Sequence, residues 1–209
     1  MVNKWNSTEH ALACLKIADG IPRWTDGEAT LLEEVPKASR RILDLGSGDG
    51  RLLSLLLVHC ASASGVALDF SPLMLERLRE KFGSDERVTD VAHDLDRPLP
   101  EMGMFDVVAS SFAIHHLAHD RKRQLYAEAW NRLQPGGVFC NLEHVASPND
   151  RIHQRFLDAL GIAAENDDPS NKLLDMETQL QWLRDIGFQD VDCFWKWREL
   201  ALLIGKKDG

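Results

Sequence analysis

The chain has 209 residues, of which 44% are hydrophobic and 27% charged, the size and make-up of one medium globular domain. No segment approaches the roughly 18–20 uninterrupted apolar residues of a membrane helix, because the longest cluster, Leu52 to Val58, is short and broken by Ser54. Lys plus Arg number 24 against 33 Asp plus Glu, and a net charge of −9 argues against a nucleic-acid backbone as the main partner.

The first 35 residues read as one or two helices. From residue 41 short apolar runs alternate with helical patterns, the signature of a parallel sheet with helices on both faces. Strands are expected at about 41–45, 64–69, 87–92, 105–110 and 137–143. Their continuous apolar runs, such as FDVVAS, suit strands buried on both sides. One helix should start at Ser71-Pro72, with Ser71 as N-cap, and stop at Gly83. Another should run from about Asp120 to Leu133 with Leu125, Ala129 and Leu133 on one stripe. Its opening triplet, Arg121-Lys122-Arg123, reads as a solvated face. Ile152, Phe156 and Leu160 mark a helix, and GIAAENDDPSN reads as a mobile loop. Leu180, Leu183 and Ile186 mark another helix, closed by Gly187. Two strands follow, about 189–195 and 199–205, too close together to be anything but antiparallel. The expected fold is therefore α/β: a doubly wound, mostly parallel seven-stranded sheet with strand seven antiparallel. Cys14, Cys60, Cys140 and Cys193 are widely spaced and form no metal or redox pair, so they read as reduced thiols of a cytoplasmic protein. The N-terminal residues show no secretory pattern.

The most informative stretch is Arg41-Ile42-Leu43-Asp44-Leu45-Gly46-Ser47-Gly48-Asp49-Gly50. An apolar strand runs into three glycines at alternate positions and then into a helix. Such a bend lets main chain approach a ligand closely. A dinucleotide fingerprint would place a small residue where Arg51 stands, which disfavours a nicotinamide-dependent dehydrogenase. Asp69 ends the second strand, where a carboxylate can accept both hydroxyls of a ribose, and Phe70 beside it can pack on a flat base. Asp94, after the third strand, can accept an adenine amino group.

Together these segments resemble the class I, seven-stranded Rossmann-like methyltransferases that use S-adenosylmethionine (SAM). The match extends through Phe105–Leu117, including His115-His116, and through Leu133-Gln134-Pro135-Gly136-Gly137 into the fifth strand. It is strong over residues 41–145 and architectural over 177–207. The resemblance implies that Gly46, Ser47, Gly48 and Gly50 line the methionine part of SAM and that Asp44 orients the loop and the ammonium group. It implies that Asp69 and Phe70 hold the nucleoside, that Asp94 and the backbone of Leu95 read the adenine edge, and that Ser110–Ser111 complete the pocket. One domain is implied over 1–209, with 1–35 a helical lid and 146–176 a variable insertion.

Four residues are candidate bases for the methyl acceptor: His115, His116, Glu143 and His144. The bet falls on His144 or His116. No spaced set of ligands demands a metal. The hairpin Trp195-Lys196-Trp197-Arg198 should lie at the rim of the site, with Trp197 facing substrate and Trp195 packed under 146–176. Ile21-Pro22-Arg23-Trp24 reads either as a lid, with Arg23 and Trp24 closing the pocket, or as a helix linker with an anchoring tryptophan. The lead reading is methyl transfer to a small molecule by in-line displacement, in a monomer or homodimer with no membrane or nucleic-acid partner. Rival readings are a tRNA base or protein side chain as acceptor, and a SAM-binding protein without catalysis.

Overall fold

The computed structural model describes residues 22–209. Cys14, Ile21 and most of the expected N-terminal lid lie outside them. The elements in chain order are α1 (Trp24–Glu34), β1 (Arg41–Leu45), α2 (Arg51–His59), β2 (Ser64–Asp69), α3 (Pro72–Phe82), β3 (Val88–Ala92) and β4 (Phe105–Ser111). They continue with α4 (His119–Arg132), β5 (Leu133–His144), α5 (Asp150–Leu160), α6 (Met176–Ile186), β6 (Gln189–Trp197) and β7 (Leu200–Lys206). Short 3₁₀ turns lie at Ile114–His116 and Ala164–Asn166.

The seven strands form one sheet in the order β3-β2-β1-β4-β5-β7-β6. All neighbours pair in parallel except β7, which runs antiparallel to both β5 and β6. The order reverses between β1 and β4, so the crevice beyond their carboxyl ends is the expected ligand position in such a sheet.

Alternation along each strand feeds two cores. Ile42, Val107, Ala109, Cys140, Leu142, Leu202 and Ile204 face α1 and α2, whose Leu31, Leu52, Leu53 and Leu56 are buried against them. Leu43, Leu45, Val108, Phe139 and Leu203 face α4 and α6, through Leu125, Tyr126, Ala129, Leu180 and Leu183. Helix α2 lies so close to β2 that a Cβ on Gly65 would stand 2.5 Å from Leu53 Cδ1. A cavity left by truncating Leu53 or Leu125 to alanine would cost about 2–5 kcal/mol.

Two expectations hold only in part, for identifiable reasons. Ser71 takes the N-cap position of α3 as expected, but its hydroxyl makes no capping bond; the proline at the start of that helix leaves fewer free amides to cap. Of the Arg121-Lys122-Arg123 triplet only Arg123 faces solvent. Arg121 is buried, bonded to the Leu95 and Arg97 carbonyls and to Glu128, and Lys122 is fully buried. Of the cysteines within the described residues, Cys60 and Cys140 are buried, Cys193 is half-buried, and all three are free thiols.

Segment 161–171 does not hang free. Asp167 bonds His153, the Ser170 hydroxyl meets His116 Nδ1, and Lys172 donates through its backbone to the His115 carbonyl and through Nζ to the His116 carbonyl. Helix α5 is capped by the Asn149 side chain, and α6 by Asp175. The segment therefore forms a roof laced to the carboxyl end of the sheet.

Candidate active site

The glycine bend begins where β1 ends. Gly46, Gly48 and Gly50 all take positive φ, at 68°, 54° and 80°. Two of them are sterically locked. A Cβ on Gly46 would stand 2.2 Å from Ala113 Cβ, and one on Gly50 2.6 Å from Phe82 Cε2. Gly48 differs, because a Cβ there would meet nothing within 4 Å. Its positive φ turns bare backbone toward open space, which is the shape of a cradle.

Asp69 braces this bend. Its Oδ2 accepts the Gly48 amide at 2.9 Å and its Oδ1 the Ser71 amide at 2.8 Å. Burial raises its pKa, while the amides of Ser71, Gly48 and Phe70 pull it back. Asp44 is the opposite case. It is 1% exposed, and neither carboxylate oxygen has a hydrogen-bond partner. Burial, then the nearby charge of Asp69, push its pKa up to about 7; the Leu53 amide opposes this without reaching bonding geometry. The Ser47 and Ser111 hydroxyls are likewise buried and unsatisfied. A carboxylate and two hydroxyls left unpaired around a glycine cradle fit a ligand that brings a cation and polar groups of its own.

The other expected nucleoside residues stand at the same edge. Asp94 is half-buried with Oδ1 taking the Asp96 amide, and Leu95 is buried within reach of Gly46. Phe70 is half-buried after Asp69. Ser110 is committed elsewhere, donating its hydroxyl to the Leu45 carbonyl at 2.8 Å.

His115 and His116 follow Ala113 beyond the bend, and His144 joins them from the end of β5. His115 and His116 rings lie 4.0 Å apart, and His115 and His144 5.6 Å apart. His115 Nδ1 bonds Glu143 Oε1 at 3.0 Å. Glu143 is fully buried and also accepts the His144 amide and the Asn141 side chain. Burial works to raise its pKa, but His115, Lys122 and Asn141 outweigh it and hold the carboxyl below the ordinary range. Burial holds His115 below the ordinary imidazole range despite Glu143, and burial together with His115 pushes His116 down to about 3. His144 Nε2 meets Glu199 Oε2 at 2.9 Å. Glu199, 1% exposed in the β6–β7 turn, also accepts Ser147 Oγ and His153 Nδ1. Burial tends to raise its pKa; these donors bring it below the usual value.

The aromatic residues divide. Trp24 is half-buried, edge-on to Phe112 at 4.8 Å and under the Arg51 guanidinium, beside the bend. Arg51 also forms a two-pronged pair with Glu28 of α1. Arg23 is exposed and paired with Asp26. Trp195 lies against Gly27 of α1 and Leu142, and Trp197 is half-buried with its ring 6.2 Å from Phe156 of α5. Sequence reading missed Glu199, His153, Asp167 and Lys122. No spacing joins the first three, which come from separate elements, and Lys122 sits in a basic triplet whose sequence alone points to solvent.

Comparison with known proteins bears on this arrangement. A family model described as a methyltransferase domain matches residues 42–137, from β1 to the start of β5. A demethylmenaquinone methyltransferase of Clavibacter sepedonicus is 32% identical over 180 residues, covering 78% of this chain and 71% of its own. The chain belongs to the class I SAM-dependent methyltransferases. This methyltransferase is also 28% identical over 197 residues to a ubiquinone/menaquinone biosynthesis C-methyltransferase of Dinoroseobacter shibae, covering 85% of this chain and 75% of that one. An O-methyltransferase family protein of Burkholderia thailandensis shares its fold, with a TM-score of 0.73 at 20% identity over 90% of this chain. The methyltransferase spans 57% of that solved chain. Its methyl donor is SAM. Among the described residues no helix is long and apolar enough to cross a membrane.

Proposed function

We propose that this methyltransferase delivers a methyl group to a small, proton-bearing acceptor of the hydroxyarene or quinol kind, with His144 as base. The observation that carries the reading is the His144–Glu199 pair at the carboxyl end of β5. A carboxylate can only accept, so Glu199 fixes the imidazole proton on Nε2 and leaves Nδ1 as the lone-pair nitrogen. Burial makes His115 and His116 weaker bases than usual. His144 stands between His115 and the Phe156 ring, 5.2 Å away. The relatives named for demethylmenaquinone and for ubiquinone/menaquinone biosynthesis support an acceptor of this chemistry.

In this reading Asp44 pairs with the ammonium group of SAM, Gly48 lies along its methionine part, and Asp69 and Asp94 hold ribose and adenine. SAM supplies a methyl group on a sulfonium, a leaving group that needs little assistance. The chain's task is alignment, exclusion of water and removal of a proton. SAM bound there would give up its methyl by displacement, its carbon–sulfur bond breaking as the acceptor atom bonds to carbon, and His144 Nδ1 would take the acceptor's proton. The roof of residues 146–176 and helix α1 close a single catalytic domain, and Phe156, Trp197 and Trp24 offer flat walls to an aromatic ring.

The test is S-adenosylhomocysteine (SAH) release with a panel of phenols and naphthohydroquinones, run beside tRNA and protein pools. Turnover of a hydroxyarene, reduced roughly 100-fold in His144→Ala with SAM affinity kept, is the expected result. Turnover confined to tRNA or protein would overturn the acceptor class, and full activity of His144→Ala would remove the base.

A further inference from the structure

Methyl transfer to a proton-bearing acceptor leaves one proton behind for every methyl delivered. A base roofed by segment 146–176 must lose that proton before it can act again. A bonded line leads away from His144. His144 Nε2 meets Glu199 Oε2 at 2.9 Å, Glu199 Oε1 meets His153 Nδ1 at 3.0 Å, and His153 Nε2 meets Asp167 Oδ2 at 3.2 Å. The side chains are 12%, 1%, 28% and 34% exposed in that order, so the line starts inside, passes a buried carboxylate and ends in water. Its members come from β5, the β6–β7 turn, α5 and the loop after α5.

We propose that Glu199, His153 and Asp167 form a proton exit from the methyl-transfer site, carrying the acceptor's proton from His144 to solvent. The inference rests on the reading of His144 as the base. When Nδ1 of His144 takes a proton, the proton on Nε2 passes to Glu199. His153, facing a carboxylate on each side, releases the proton on Nε2 through Asp167 to water, moves its remaining proton from Nδ1 to Nε2 by exchange with water, and then takes the proton of Glu199 on the freed Nδ1. One proton enters and one leaves, no electron moves, and the partly exposed imidazole resets its tautomer by exchange with water.

The surroundings of His153 suit such a carrier. Burial works against charge on its ring, but Glu199 and Asp167 overcome this and hold its pKa above the ordinary imidazole value. The titratable groups that bond it are Glu199 from the β6–β7 turn and Asp167 from the loop; His144 on β5 reaches it through Glu199. Ser147 donates to Glu199 and holds that carboxylate in place between the two rings. Glu199, His153 and Asp167 act through His144 and are positioning residues.

The test is the exchange of the His144 Nε2 proton with water, followed by ¹⁵N-edited NMR of the SAH-bound chain. His153→Gln keeps a donor to Glu199 but cannot pass a proton on, and it should slow exchange by about tenfold or more. In His153→Ala, added imidazole should restore exchange, an effect that a merely structural histidine would not produce. Unchanged exchange in His153→Gln with the His144 resonances in place, or no response to imidazole, would overturn the proposal. With 1,4-dihydroxynaphthalene as acceptor, kcat should fall in His153→Gln at low buffer concentration while KM for SAM stays. The exchange measurement needs no acceptor. A wild type inert toward every acceptor would therefore count against His144 as base, and a relay failure would show as unchanged exchange.

Discussion

Asp44 concentrates the tension between stability and function at a single residue. A carboxyl held near pH 7 in the fold, against 3.8 as its ordinary value, binds more protons folded than unfolded between those pH values. Its contribution to stability is therefore present at low pH and lost as pH rises toward 7. Asp44→Asn should raise the melting temperature at pH 8, by an amount reflecting several kcal/mol at most. The same substitution should weaken SAM binding, because the buried site loses its anion. In the wild type, SAM affinity should climb from pH 5.5 to about pH 7 and then level, as the ammonium pairs with an ionised Asp44. Melting curves and calorimetric titrations across that range check both trends. An asparagine variant that binds SAM normally would place the ammonium elsewhere. At the same scale, His144→Ala should separate proton removal from cofactor binding by lowering kcat alone.

The glycine bend makes an element-scale prediction by contrast between two neighbours. Gly46→Ala drives a Cβ into Ala113 and should disrupt the loop and the segment that carries His115 and His116. Gly48→Ala enters open space, so its cost to stability should be only about 1–2 kcal/mol from the positive φ. Yet it should weaken SAH binding by about tenfold or more if that space belongs to the methionine chain. Equal effects of the two alanines on melting temperature and affinity would contradict this division. The bend was legible in sequence because an apolar strand running into alternate glycines is a local signal, and so were the carboxylates at three successive strand ends. Strands β1 and β2 fall on the expected residues, and β5 starts four residues early because it continues through Pro135-Gly136-Gly137 with a register shift opposite Phe105–Val107. The burial of Arg121 was not legible. Its partners are the carbonyls of Leu95 and Arg97 and a glutamate seven residues on, and only the folded chain brings them together. Glu199 and His153 stayed hidden for the same reason, 46 residues apart with no shared spacing.

At the scale of the whole molecule, the parallel order of β3-β2-β1-β4-β5 sends every strand end that carries a polar group to one edge. The antiparallel return of β7 brings Glu199 to the same edge, opposite His144 and Val145. The glycine bend, the proposed base His144 and the roof thus share one rim, and a ligand bound there should stabilise the entire fold. At a SAH concentration about 100 times its dissociation constant, binding adds about 2.7 kcal/mol, which for a chain of this size is a rise of roughly 5–10 °C in melting temperature. The most direct test is calorimetric titration of SAH into the folded chain at pH 8, beside Asp69→Ala. The account predicts one saturable site in the wild type, weakened by about 1–3 kcal/mol in the variant through loss of charge-assisted hydrogen bonds. No heat from the folded wild type, or equal affinity in both proteins, would contradict it.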